Sequence, residues 1–183
     1  MKSQQSVAWL ALIIMLVGTV LRLLPHPYNV TPLAAIALFG GAVFPRRWSL
    51  LVPLAAIIAS DAVVGFHATV PFTWGAFVLI AVIGWWVRAR YGWRRILVGS
   101  VLGSALFFLI TNFGVWLMGH AEQWFPRTWA GLLECYAAGL PFYRQTLVGD
   151  VAYAAVFFGA YHLAAARLAR PAAVVVSPTS MSS

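Results

Sequence analysis

Two aspartates interrupt stretches built almost wholly from apolar residues, and they are the first candidates for chemistry. Asp61 closes the run LLVPLAAIIAS and is followed by His67 in GFHATVPF, and Asp150 opens the run VAYAAVFFGAYHLAAA. The chain has only four acidic residues, so neither placement is casual. Asn112, beside Thr111, interrupts a third run, and Arg22 ends the first. Carboxylates, a carboxamide and an imidazole can orient a small ligand through hydrogen bonds. His26, Tyr28, Asn29, Phe66 and Trp116 are available to complete such a site, which would join a few convergent polar groups to aromatic walls. Each residue also has a plainer reading. Asp61 can cap its helix or clasp Arg22. Asp150 can occupy the first turn of a helix, where negative charge is favourable. Asn112 can bond between helices, and His67 can be a solvated loop side chain.

Other chemistries find little support. A metal site needs several ligands at defined spacing, and no H-x-x-x-H or comparable pattern is present, so no bound metal or other cofactor is expected. The single cysteine, Cys135, rules out an intrachain disulfide and a multi-cysteine metal motif. It stands beside Glu134 with no base near it in sequence, which argues against nucleophilic catalysis. No paired-carboxylate motif is visible, so the chain is not read as an enzyme. An interhelical pair such as Asp61 with His67 is the nearest approach to one.

Composition sets the solvent for these groups. Of 183 residues, 62% are hydrophobic and 9% charged, and the mean hydropathy is +0.87. A soluble domain carries roughly 25% charged residues, so this is expected to be an all-α integral membrane protein whose partner is the lipid bilayer. The formal net charge of +8 forms no basic face, and no nucleic-acid partner is expected. Ionisable residues within spans are costly and mark functional sites by default.

The apolar segments fall at about 7–24, 32–44, 49–64, 71–87, 96–118 and 147–166, predicting a six-helix transmembrane bundle in a single domain, residues 1–170. Residues 171–183 read as a disordered tail, and the first segment as a retained helix rather than a cleaved signal. The second segment is short for a span of about 20 residues. It must be buried among neighbours, re-entrant or extended, and its alanines and glycines suit close packing. Lys2, Arg46, Arg47, Arg88, Arg90, Arg94, Arg95, Arg167 and Arg170 fall on one side, against Arg22, Arg127 and Arg144 on the other. This bias predicts both termini in the cytoplasm. The polar candidates then gather towards the outer side, with 119–146 as the longest outer loop, lying at the interface or folding back as a lid. Small residues recur at helical spacing in Ala55/Ala59, Gly99/Gly103, Ser100/Ser104 and Ala160/Ala164, and suit packing within the bundle or against a partner.

The stretches RLLPHPYNVTPLAAIALFGGAVF, SDAVVGFHATVPF, TNFGVWL and WFPRTWAGLLECYAAGLPFYRQTLVGD together resemble an uncharacterised bacterial family of small six-helix integral membrane proteins, over about residues 20–165. More distantly, the architecture is similar to the substrate-binding S components of energy-coupling factor (ECF) vitamin transporters. That resemblance implies capture of a vitamin or metal under the outer loops, in the bacterial inner membrane, with a membrane coupling subunit or a homo-oligomer as possible partner. The first helix lacks the AxxxA docking face usual in S components. A cobalamin-binding group of similar size uses a cysteine as cobalt ligand, a role that Cys135 would match; the His67 imidazole is separately a suitable cobalt ligand. The function expected is a membrane-embedded binding and uptake protein for a small vitamin- or cofactor-like molecule. The alternative is a structural or assembly partner of a cell-envelope complex.

Overall fold

A computed structural model describes residues 2–25, 30–118 and 125–168. Among these the fold is all-α, with α1 Lys2–Leu23, α2 Leu33–Val43, α3 Leu51–Val64, α4 Val70–Ala89, α5 Trp93–Met118 and α6 Trp129–Leu168. Backbone chemistry sets several boundaries. Pro71 sits in the first turn of α4, where its missing N–H is no loss. Gly65 ends α3 at φ 108°, a conformation that a side chain would strain. Its N–H donates to the Asp61 carbonyl at 2.7 Å.

Four helices contain stretches long and apolar enough to cross a membrane: Gln5–Leu23, Val70–Ala89, Trp93–Met118 and Trp129–Leu168. Large apolar side chains such as Trp9, Leu16, Val63, Leu133, Val148 and Leu163 point outward from the bundle. In water that surface would be a severe penalty; lipid would solvate it. α2 and α3 are shorter, 11 and 14 residues, or about 16 and 21 Å of rise.

The short α2 resolves by burial. It contacts every other helix, and all its residues from Leu33 to Ala42 are buried. Phe39 packs edge-on against Phe158 at 5.2 Å and Tyr161 at 5.5 Å between ring centroids. Its tightest crossing is with α4. A Cβ on Gly41 would meet the Ala81 carbonyl oxygen at 2.0 Å, and one on Gly84 would meet that of Leu38 at 2.5 Å. The two backbones touch, and only glycine permits it.

The sixth helix departs most from expectation. The sequence reading starts it near residue 147 and assigns 119–146 to a loop. Helix instead begins at Trp129 and runs 40 residues, about 60 Å of rise and roughly twice the hydrocarbon thickness of a bilayer. Thr128 caps its start, its hydroxyl accepting the Gly131 N–H at 3.1 Å. Pro141 lies inside; it removes one donor and leaves the Ala137 carbonyl without its usual partner. Tertiary packing on α5 outweighs that cost. Tyr136 donates its hydroxyl to the Leu109 carbonyl at 3.0 Å, and the Tyr143 ring lies 4.9 Å from that of Phe108. Cys135 donates to the Asn112 carbonyl at 3.3 Å. It is therefore a buried helix residue, 2% exposed, rather than a loop residue. The tail 171–183 lies outside the described residues.

Candidate functional site

The predicted site residues fall into separate neighbourhoods. Asp61, 2% exposed, ends α3 with both carboxylate oxygens engaged. Oδ1 accepts from Arg22 Nη2 of α1 at 2.5 Å. Oδ2 accepts from the Trp74 indole of α4 at 2.7 Å. The other terminal nitrogen of Arg22 donates to Ser60. Three helices are thus tied at one level by charge-assisted hydrogen bonds, the arrangement expected of a clasp. Phe66 stacks edge-on against Trp74 at 6.3 Å and is largely exposed. His67 lies in the exposed turn before α4, its Nδ1 within 2.9 Å of the Thr69 hydroxyl. His26, Tyr28 and Asn29 lie outside the described residues.

Asn112 belongs elsewhere. With Thr111 it lines a cavity of about 180 Å³ between α5 and α6, whose walls are Phe107, Phe108, Gly139, Phe142, Tyr143 and Thr146. Neither Asp61 nor Asp150 lines it. The Asn112 amide nitrogen donates to the Phe108 carbonyl at 2.8 Å, and Thr111 donates to the Phe107 carbonyl at 2.7 Å. Gly139 makes room for the carboxamide, because a Cβ there would meet Asn112 Oδ1 at 2.5 Å. Two hydroxyls, a carboxamide and a phenol among three phenyl rings can fix the orientation of a small, partly aromatic molecule. Trp116 lies near the end of α5, donating its indole N–H to the Pro126 carbonyl at 3.0 Å.

Asp150 forms the last neighbourhood. The sequence reading sets it at the start of a helix; it lies within α6, well past Trp129, so helix-terminus stabilisation does not reach it. It is 3% exposed and faces Ser104 of α5. Among the described residues neither Asp150 Oδ2 nor the Ser104 hydroxyl has a hydrogen-bond partner.

With this geometry established, comparison with known proteins adds one decisive fact. The profile of a family of unknown function, DUF6580, matches residues 1–173. The chain belongs to the DUF6580 family. No curated protein and no solved structure matches it. For this DUF6580 member, what the site can do must come from its own residues.

Two contributors escape the sequence reading. Trp74 resembles an interfacial belt residue, but its N–H completes the Asp61 clasp. Ser104 resembles half of a small-residue packing pair, but its hydroxyl faces Asp150. The one available signal was the Ser100/Ser104 spacing, which puts two hydroxyls on one helix face. At the opposite end, a larger recess of about 600 Å³ is lined by Arg46, Trp85, Trp86, Arg88 and Ala89. Arg46 stacks over Trp85 at 4.6 Å. No cluster of histidine, cysteine or acidic residues suited to a metal ion occurs among the described residues.

Proposed function

We propose that this protein is a membrane-embedded binding and uptake protein for a small, partly aromatic molecule, with the α5/α6 cavity as its site. The observation that carries the reading is the cavity wall, where Thr111, Asn112, Tyr143 and Thr146 converge among Phe107, Phe108 and Phe142. Its volume, about 180 Å³, lies below the roughly 300–1,000 Å³ of drug-sized sites. A ligand near the size of one aromatic ring fits that space; a corrinoid far exceeds it, so a cobalamin role for Cys135 or His67 gains no support. The Arg- and Trp-lined recess at the other end suits a cytoplasmic interface facing anionic lipid headgroups. Placed so in a bacterial inner membrane, six helices of alternating direction leave both termini in the cytoplasm, as in an S component.

Uptake is tested by comparing spent medium from host cells with and without the gene, then restoring wild type or Asn112→Leu. Selective depletion of one small molecule, restored by wild type and not by the variant, supports the reading. Identical media overturn it.

A second reading, an assembly partner in the cell envelope, draws on one observation. Ala55 and Ala59 lie exposed on one face of α3, open to close helix approach. Gly99 and Gly103, by contrast, are already filled by Val87 and Ile80 of α4. A stoichiometric polypeptide that co-purifies with wild type and is lost on Ala55→Leu would favour this reading.

A further inference from the structure

The carboxyl of Asp150 is at odds with its surroundings. It is 3% exposed in a seam between two apolar helices, with Oδ2 unpartnered among the described residues. A carboxylate anion so placed is very costly unless a cation accompanies it.

The helices packed against α6 are α5, α2 and α1, and none of their described residues supplies such a cation. α2 has no titratable residue. In α5 the charged residues are Arg94 and Arg95 in its first turn, about 14 Å along the axis from Ser104. Arg22 of α1 is held by Asp61 and Ser60, and Lys2 stands at the far end of that helix. On α6 itself, Glu134, Arg144, His162 and Arg167 are exposed, and Tyr153 lies one turn on. A bare metal ion is disfavoured by ligand count. It wants about six oxygens, whereas the seam offers two carboxyl oxygens and the hydroxyls of Ser104 and Ser100, both buried. A proton needs only one oxygen and one acceptor.

We propose that Asp150, with Ser104 as its hydrogen-bond acceptor, is a reversible proton-binding site inside the α5/α6 seam. The loaded carboxyl is neutral and can donate to the Ser104 hydroxyl oxygen. Release transfers the proton to water and leaves an anion that the closed seam cannot solvate. Positions along the seam supply approaches from both directions. Thr146, one turn before Asp150, lines the cavity of about 180 Å³. Ala154, one turn after, lines a second cavity of about 220 Å³ with Ser100, Trp93, Ile96, Leu97 and Val151. This inference stands whether or not the first cavity takes a ligand.

Dicyclohexylcarbodiimide, which couples to protonated carboxyls in apolar surroundings, tests it on the full chain in lipid nanodiscs, with adducts located by peptide mass spectrometry. The expected result is an adduct on Asp150 that is lost as the pH is raised. It should vanish in Asp150→Asn and persist in Asp61→Asn. No adduct on Asp150, or a yield that does not change with pH, overturns the proposal. The wild-type titration is decisive by itself if the Asp150→Asn protein does not fold.

Discussion

Replacing Asp61 by alanine asks whether the clasp is a structural element. The substitution removes the acceptor of Arg22 Nη2 and of the Trp74 indole together. The Arg22 and Asp61 side chains are 11% and 2% exposed, so the pair is buried, and breaking a buried pair costs about 3–5 kcal/mol. An exposed pair would cost about 1 kcal/mol or less. Arg22 lies at the end of α1, where its long stem can carry the guanidinium out of the bundle. The lower figure is therefore expected, about 3 kcal/mol, or about two decades in the unfolding equilibrium. Cys135 supplies the readout. It is the only cysteine in the chain and 2% exposed, so maleimide labelling across an SDS titration follows unfolding. Asp61→Ala should expose it at markedly lower SDS. The double change Arg22→Met with Asp61→Leu should return to within about 1 kcal/mol of wild type, because two apolar residues leave no buried charge behind. If Asp61→Ala shifts the equilibrium by less than about threefold, roughly 0.6 kcal/mol, the clasp account fails.

Further outcomes follow from packing, each checked by the same titration. Gly41→Ala should destabilise by about 3 kcal/mol, the upper end for overpacking, since its Cβ would strike backbone atoms of Ala81 that cannot rotate away. Gly75→Ala, with nothing within 4 Å of the added Cβ, should instead gain up to about 1 kcal/mol from helix propensity. Equal effects at the two glycines would refute the account of the α2/α4 crossing. Pro141→Ala should stabilise by about 1 kcal/mol by restoring a donor to the Ala137 carbonyl; a loss of stability would show that the proline fits a break the fold requires. Gly139→Ala should displace the Asn112 carboxamide, because its Cβ falls 2.5 Å from Oδ1. Its stability cost, about 1–3 kcal/mol, should shrink in an Asn112→Ala background.

Helix number and apolar character were legible because composition and run length carry both. The position of α2 was legible only in part: its length left burial, re-entry and extension open, and packing alone decides for burial. The extent of α6 was not. Pro141, Glu134 and Arg144 interrupt the apolar pattern in the way a loop would, and only packing against α5 shows that helix prevails. The alternative partners of Asp61 were visible, since Arg22 was the nearest opposite charge by expected depth. Trp74 could not be anticipated, because nothing local marks an indole that turns inward. Separation of Asn112 from Asp61 and Asp150 was equally hidden. Helix ends give depth, and depth alone made three polar residues look like one cluster. The lateral arrangement around the bundle depends on contacts such as Gly139 on Asn112, which no single run encodes.

The central claim is that the α5/α6 cavity holds a small molecule. Native mass spectrometry of the protein gently extracted from its own host tests it most directly, with wild type, Asn112→Leu and Asp61→Ala side by side. The account predicts a small co-purifying mass on wild type, lost in Asn112→Leu and retained on whatever fraction of Asp61→Ala remains folded. A bare wild-type protein, or a mass that survives Asn112→Leu, would contradict it.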